Sequence, residues 1–423
     1  MQIVLTVVAG PHIGKIFVFD RHDHFFVGRA KFAHFRLPEK DPYFSRMHFM
    51  IEVNPPVCRL LDLGSTNGTL INGQTRQSAD LQHGDQIQGG DTVLKVTIRN
   101  GESDEHPPTL LKQSAASVAA ATLSTELYIV PDIHDIASGD KVSNCEWSVP
   151  GFVFEQKLGS GGMGEVYRAR RLADDKPVAI KILKPAMAGT AMEYQRFLRE
   201  IEILRSLDHP AIVQLIEAGE ADGNLYFTME LVNGCNAKEF VEKQPKLLPV
   251  STAVGVIVRV LNALSFAHSR GFVHRDVKPT NILIEQDRKK LRVKLADFGL
   301  ARAYQESKFS GLTLTGDICG TPKFMAPEQI TDSRNVQPAS DQYSAAATLY
   351  WLLTRQHTHN FAGRVNQALS QILLEDPVPI RERRTDIPES LARTIQRALS
   401  KDASSRFPSV AHMSKRLKLD VSK

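Results

Sequence analysis

Along residues 1–99 the apolar positions fall in short runs, at 2–8, 14–19, 24–28, 47–53, 57–63 and 92–98. Some alternate with polar residues and others are continuous for a few positions. Clusters of Gly, Pro, Asp and Asn separate them, and no helical stripe of useful length intervenes. That rhythm predicts short strands closed into a sandwich or barrel. From Asn100 to about Pro150 it stops. "NGESDEHPP" is followed by the Ala/Ser/Thr-rich "SAASVAAATLST", with few large apolar residues, so the stretch reads as a flexible linker. Within it "ELYIVPDI" has the composition of a docking patch, but plain linker is the reading adopted.

From Gly151 a mixed pattern begins. Strand-like segments come first ("FVFEQKLGS", "EVYRARR", "PVAIKIL"), then a charged amphipathic helix ("AMEYQRFLREIEILRSL"), then two more strands ("AIVQLIEAGE", "NLYFTMELV"). Beyond about Lys238 helices take over, in "VSTAVGVIVRVLNALSFAHSRG", "SDQYSAAATLYWLLT" and "SLARTIQRALS". A β-rich part followed by an α-rich part predicts two lobes with a crevice between them.

Composition changes this picture little. At 423 residues, 42% hydrophobic and 23% charged, the chain is long enough for several cores, and wholesale disorder is excluded. A formal net charge of +5 does not call for a nucleic-acid or membrane partner. Cys58, Cys145, Cys235 and Cys319 are scattered with no Cys-x-x-Cys pair, so neither a disulfide framework nor a zinc site is expected, and a cytoplasmic setting is. The opening "MQIVLTVV" alternates like a strand rather than a leader. The apolar run "YSAAATLYWLL" at 343–353 is shorter than the ~20 residues that cross a bilayer, so no membrane span is expected.

The chemistry enters with a series of short motifs. "LGSGGMGEV" holds Gly159-x-Gly161-x-x-Gly164, a weak signal alone. The residues after it alternate as a strand rather than opening a helix, the setting of a glycine flap over nucleotide phosphates. "VAIK" puts Lys181 on the next strand, and Glu200 in "FLREIEIL" lies on the following helix, where it can pair with that lysine. "HRDVKPTN" supplies His274, Arg275, Asp276, Lys278 and Asn281; "DFG" supplies Asp297, Phe298 and Gly299; "APE" ends at Glu328. In this order the residues resemble the eukaryotic-type protein kinase family over about 152–420, and "GSGGMGEVY" is most similar to the serine/threonine kinases of bacteria.

The resemblance implies roles, residue by residue. Asp276 would orient the substrate hydroxyl and accept its proton, and Lys278 would offset charge on the transferring phosphoryl group. Lys181, paired with Glu200, would reach the α/β-phosphates. Asn281 and Asp297 are hard oxygen ligands suited to Mg²⁺ (or Mn²⁺) shared with ATP. Gly159, Ser160, Gly161, Gly162, Met163 and Gly164 would form the flap. Leu158, Val166, Ala179, Met229 and Leu283 would sandwich the adenine, with the backbone of Glu230 and Val232 bonding its edge. Lys278 and Thr321 imply a serine/threonine rather than a tyrosine acceptor. Arg275 implies a pocket for a phosphate on the activation segment, for which Thr313 and Thr315 are the candidates, with Ser310 behind them. Asp341 is present and Arg406 is expected to pair with Glu328. "YSAAATLY" and "TRQHTHNFAG" depart from the family's usual wording, and the histidines of "HTH" at 357–359 are expected to be solvated loop residues.

The β-rich first part carries a second set. "FFVGRA" gives Gly28-Arg29, "PYFSRMHFMIEV" gives Ser45, Arg46 and His48, and "STNGTLING" gives Thr66, Asn67 and Gly68. Both Asn-Gly pairs, Asn67-Gly68 and Asn72-Gly73, read as type I′ hairpin corners. Arginine, serine and asparagine from separate loops can converge at one end of a sandwich and grip phosphate. The succession resembles the forkhead-associated (FHA) domain, a phosphothreonine-peptide reader, over roughly 1–99. The resemblance implies that Arg29, Ser45, Arg46, Thr66 and Asn67 face the ligand, while Gly28, His48 and Gly68 hold the loops in shape.

The expected architecture is multidomain: an all-β FHA-type sandwich at 1–99, a linker at 100–150, and an α+β bilobal protein-kinase fold at 151–420, its lobes dividing near 232. The expected function is a serine/threonine protein kinase using ATP and Mg²⁺, whose FHA module recruits phosphothreonine proteins. The resemblance further implies that such readers sense the residue three positions after the phosphothreonine; Thr315 has Ile318 there, so a second copy of the chain, engaged in trans through its activation segment, is an expected ligand too. The alternative is a catalytically silent scaffold that binds nucleotide and phosphopeptides; loss of Lys181, Asp276 or Asp297 would signal it, and none is lost.

Overall fold

Alternating apolar residues in the first part form strands β1 (Gln2–Ala9), β2 (Ile16–Phe19), β3 (Asp23–Gly28), β4 (Phe35–Arg36), β5 (Phe49–Asn54), β6 (Val57–Asp62), β7 (Thr69–Ile71), β8 (Gln74–Arg76), β9 (Ser78–Asp80), β10 (Gln86–Gly89) and β11 (Thr92–Arg99). The structure is a computed structural model describing residues 2–38, 43–99, 147–161, 164–183, 204–221, 224–287, 290–298, 322–332, 335–361 and 365–421. Residues 100–146 of the expected 100–150 linker, the amphipathic helix up to residue 203, Glu200, Gly162, Met163, Gly299, Ser310, Thr313, Thr315, Ile318 and Thr321 lie outside the described residues. Residues 147–150 belong to the second part instead, with Val149 buried and Trp147 Nε1 donating to Glu165 at 3.2 Å.

The strands form two sheets, β2-β1-β11-β10-β7-β8 and β4-β3-β5-β6-β9. Their inner faces interdigitate: Ile3, Leu5, Ile87, Leu94 and Val96 from one meet Phe25, Val27, Phe49, Ile51, Val53 and Leu60 from the other. Strands β4, β7, β8, β9 and β10 lie outside the predicted runs: each has at most four residues, too few to show a period, and β8 and β9 carry no buried side chain.

One Asn-Gly pair is the expected corner. Asn72 (φ 49°) and Gly73 (φ 79°) make the two-residue β7–β8 turn with positive φ at both positions. The other is not: at Asn67-Gly68 only Gly68 (φ 76°) is left-handed, and the Asn67 side chain reaches across to donate to the Tyr43 carbonyl at 3.0 Å. A cross-loop bond there replaces the expected hairpin corner.

The second part opens with β12 (Phe152–Gly161), β13 (Gly164–Arg171), β14 (Pro177–Leu183), β15 (Leu215–Ala221) and β16 (Asn224–Glu230), an antiparallel sheet ordered β12-β13-β14-β16-β15. After it come β17 (Cys235–Asn236), α1 (Ala237–Glu242), α2 (Val250–His268), β18 (Ile282–Asp287), β19 (Lys290–Leu295), α3 (Pro327–Thr331), α4 (Pro338–Thr354), α5 (Val365–Leu374), α6 (Ile380–Arg383), α7 (Glu389–Ala398) and α8 (Val410–Val421). Helix α2 is long and apolar enough, by length and composition, to cross a membrane. It instead lies inside the helical lobe, with Val256, Ile257, Val260, Leu261 and Leu264 buried against α4 and α8.

The histidines of "HTH" depart from expectation. His357 packs edge-on against Phe324 and Phe361, and burial pushes its pKa down to about 4. His359 is buried and its Nε2 donates to the Glu375 carbonyl at 3.2 Å. The expected solvated loop is a packed corner, because two phenylalanines give the rings an apolar wall.

The two domains meet face to face. Strands β3 and β5 are buried on both sides. Phe25, Val27, Phe49 and Ile51 point into the sandwich, whereas Phe26 and Met50, with Met47 and Leu63, pack on Ile330 of α3 and Leu369, Ile372 and Leu373 of α5. Three hydrogen bonds cross this seam: Asn366 Nδ2 donates to the Asp62 carbonyl at 2.5 Å, Ser370 Oγ to the Leu63 carbonyl at 2.8 Å, and His24 Nδ1 to the Ile330 carbonyl at 3.3 Å.

Candidate functional site

Strand pairing assembles the wall of the inter-lobe crevice. Val166 on β13, Lys181 on β14 and Phe227 on β16 stand in register across three strands, and Ala179 pairs with Met229 two positions along the same face. The expected adenine-contacting residues Val166, Ala179 and Met229 therefore share one face with Lys181. Gly159 pairs with Val166 and Gly161 with Gly164, so the described ends of the glycine flap are a continuous antiparallel ribbon. Glu230 N donates to the Gln214 carbonyl at 2.9 Å, and Val232 O accepts from Gly234 N at 3.0 Å, which fixes the segment joining the lobes. Leu283 lies on β18, beneath this wall.

Opposite stands the catalytic-loop segment 274–281. Asp276 accepts from Lys278 Nζ at 3.0 Å and from Asn281 Nδ2 at 3.0 Å, while the same Nδ2 also bonds the Asp276 carbonyl at 2.8 Å. Burial acts to raise the Asp276 pKa, but the Lys278 ammonium, His274 and Asn281 together outweigh it and hold the carboxyl below the usual aspartate range. It is ionised at neutral pH. Lys181 Nζ bonds Asp297 Oδ1 at 2.8 Å, so the sheet's cation and the "DFG" carboxylate meet across the crevice.

A remote side chain holds this loop. Asp341, on α4 and fully buried, accepts from the amides of His274 and Arg275, each at 2.8 Å, and from His268 Nε2 at 2.7 Å. Arg275 sits at φ 68°, a left-handed conformation costly for a residue with a Cβ, and these bonds keep it there. Gln329 Nε2 ties down the Arg275 carbonyl at 2.7 Å. His274 accepts from Asp276 N through Nδ1 and donates through Nε2 to the Ala296 carbonyl at 2.9 Å, linking the loop to the "DFG" strand. Arg406, fully buried, forks onto Glu328 at 2.6 and 2.8 Å, as expected. Burial acts to raise the Glu328 pKa, yet the guanidinium holds it below its ordinary value.

The reader residues of the first domain do converge. Thr66 N donates to Ser45 Oγ at 3.0 Å and the two hydroxyls stand 3.3 Å apart. Arg29 Nε bonds the Phe44 carbonyl, Arg29 N donates to Ser45 O at 3.2 Å, and Arg46 is exposed beside them. Gly28 is required here, since a Cβ would collide with the Arg46 carbonyl. Buried His48 accepts from Ser45 N at 3.3 Å and donates to the Gly68 carbonyl at 3.2 Å, joining the two loops as expected of a shape-holding residue.

Asp62 was not anticipated. Its carboxylate accepts from Gly64 N (2.9 Å), Ser65 N (2.8 Å), Ser65 Oγ (2.5 Å) and Thr69 Oγ1 (2.6 Å), shaping the loop that carries Thr66 and Asn67. An Asp two residues ahead of Gly-Ser-Thr is a local signal for such a loop.

His22, His24 and Glu52 bring ligand-capable atoms within 4.8 Å of one another, the one such group among the described residues. Arg59 stands directly across from Glu52 in the β5–β6 register, with its guanidinium on the Asp80 carboxylate. His22 Nε2 stands 3.2 Å from Glu52 Oε1, and His24 Nδ1 donates to the Ile330 carbonyl at 3.3 Å, so the cluster lies beside the seam.

Comparison with known proteins agrees with both halves. The protein kinase domain family matches residues 152–416 and the FHA domain family residues 25–90. The chain belongs to the protein kinase family and carries an FHA domain ahead of the kinase domain. It is 37% identical over 261 residues to serine/threonine-protein kinase PknB of Mycolicibacterium smegmatis, covering 60% of this chain and 40% of that protein. It is also 37% identical over 261 residues to PknF of Mycobacterium tuberculosis, covering 61% and 53%. The chain thus spans about half, or less, of the length of these relatives. The crystal structure of the Mycobacterium tuberculosis PknI kinase domain superposes with a TM-score of 0.52 at 29% identity, over 65% of this chain and 98% of that one.

Proposed function

We propose that this chain transfers the γ-phosphoryl group of ATP to serine or threonine hydroxyls of proteins, and that its FHA domain recruits phosphothreonine-bearing partners. The observation carrying the first part is the ionised Asp276, gripped by Lys278 and Asn281 on a loop that Asp341 fixes, facing the Lys181–Asp297 pair. Asp276 aligns the acceptor hydroxyl and takes its proton as the oxygen attacks phosphorus; the Oγ–P bond forms and the bond to the ADP oxygen breaks. Lys278 stands beside that carboxylate and offsets charge on the phosphoryl oxygens. Lys181 swings between Asp297 and the α/β-phosphates.

The donor set suits a hard divalent cation, Mg²⁺ or Mn²⁺. Asn281 spends its Nδ2 on Asp276, which leaves its carbonyl oxygen as the atom to offer an ion, and Asp297 supplies carboxylate oxygens. When bound, the ion neutralises phosphate charge. The serine/threonine class rests on Lys278 and on the named kinases this chain is similar to.

The reader half is supported by the convergence of Arg29, Ser45, Thr66 and Asn67. Phosphothreonine fits them by charge and by acceptor number. Candidate ligands include Thr313 and Thr315 of a second copy, with Ile318 as the +3 residue, and the setting is cytoplasmic. Incubation with radiolabelled ATP and a protein substrate, beside an Asp276→Asn control, tests the enzyme reading. Label that depends on Asp276 supports it; equal incorporation by the two proteins overturns it.

A further inference from the structure

The reader loop hangs from two consecutive carbonyls that the kinase domain holds. Asp62 has two jobs: its carboxylate shapes residues 64–69, while its backbone carbonyl accepts from Asn366 on α5. The next carbonyl, Leu63, accepts from Ser370 one helical turn along. Leu63 itself is buried with Leu369, Ile372 and Leu373. Three residues on stand Thr66 and Asn67, on the ligand side, one bonded to Ser45 and the other to the Tyr43 carbonyl. The segment is thus pinned from both directions: by Ser45 and Tyr43 within the FHA domain, and by α5 across the seam.

We propose that Asn366 and Ser370, on the kinase domain, are positioning residues of the FHA domain's phosphothreonine site. The docked α5 face completes the reader. An isolated FHA loop samples several backbone placements of Thr66 and Asn67, and a phosphopeptide must select among them. Two bonds from a rigid helix, placed at the base of the loop, remove part of that cost beforehand. Coupling of this kind is reciprocal, so a bound phosphopeptide tightens the docking of the FHA domain on α3 and α5 by the same factor. The helix never touches the ligand; it acts through Asp62 and Leu63.

The inference rests on the reader assignment above, and the experiment separates the two. Full-length protein draws ligands from a degenerate phosphothreonine peptide library, and the affinity of a selected peptide is measured for the wild type, Arg29→Ala, Asn366→Ala/Ser370→Ala, the isosteric Asn366→Asp, and Ser370→Thr. Expected is loss of binding in Arg29→Ala and a weakening of about tenfold in the double variant. Asn366→Asp, which sets a carboxylate against the Asp62 carbonyl, weakens binding similarly, while Ser370→Thr, which keeps the donor, stays within twofold. Amide hydrogen exchange of Gly64 and Ser65, read without peptide, speeds up in the double variant. In the wild type, peptide slows exchange in α5. A wild-type chain that selects no phosphopeptide overturns the reader assignment and this inference with it. A wild type that binds through Arg29, with the double variant and Asn366→Asp matching it in affinity and exchange, overturns the inference alone.

Discussion

The catalytic loop and the reader loop solve one problem in two ways. Each is a stretch of irregular backbone organised by a buried aspartate that accepts several donors. Asp341 reaches its loop from α4, more than sixty residues along the chain from His274 and Arg275. Asp62 holds donors no more than seven residues away. A remote carboxylate fixes a loop to the body of the lobe, so shape and position come together. A local one fixes shape only, and position must come from elsewhere, here from Ser45, Tyr43 and His48 within the FHA domain and from Asn366 and Ser370 across the seam.

The comparison breaks most severely at Asp341. Asp341→Ala strands two backbone amides, the His274 one buried, and a histidine partner, and leaves the left-handed Arg275 unsupported. Kinase activity is expected to fall by at least about 100-fold, with a stability loss of about 3–5 kcal/mol; a radiometric assay and denaturant unfolding read the two. Activity retained within threefold would show that the loop keeps its shape unaided.

Next is Arg406→Ala, which removes another long-range tie and leaves Glu328 without its fork, at a cost of about 3 kcal/mol at pH 7. The pH dependence has a definite sign. Glu328 has a depressed folded-state pKa, so its pairing contributes fully above the unfolded glutamate value of about 4.3 and fades as pH falls through the folded value. The stability gap between wild type and variant is therefore flat near neutrality and closes in acid. A gap unchanged from pH 7 to pH 3 contradicts this.

Asp62→Ala tests the local solution. Loss of four bonds to one carboxylate is expected to weaken phosphothreonine-peptide binding by about 10–100-fold, measured by titration calorimetry. Smallest is Gly73→Ala, at a true hairpin corner with open space around it. Only its positive φ resists the substitution, for about 1 kcal/mol, and peptide affinity holds within twofold.

Much of this was legible in the residues. Ordered motifs marked Lys181, Asp276, Asn281 and Asp297, because phosphoryl transfer needs particular groups at spacings that strand and loop geometry impose. Ser45, Thr66 and Arg29 were legible for the same reason. The seam was not read, though its mark was present: "FFV" at 25–27 and "FMI" at 49–51 are unbroken apolar triplets where a one-sided strand would alternate, which signals strands covered on both faces. Reading only the inward residues Phe25, Val27, Phe49 and Ile51 satisfied the sandwich and left Phe26 and Met50 unexplained. Asn366 and Ser370 were beyond reach, because a polar residue on a helix says nothing of which distant carbonyl it meets. Gly68 misled, since an Asn-Gly pair in a loop and one in a hairpin look alike until the asparagine's partner is known.

The doubly buried strands also govern how the molecule can be taken apart. A fragment ending near residue 99 would carry a complete sandwich, yet Phe26, Met47, Met50 and Leu63 would form an oily patch on its outer sheet. Such a fragment is prone to self-associate, and replacing Phe26 and Met50 with polar residues is the natural remedy. The boundary of independent solubility in this chain is therefore set by a surface, not by the linker.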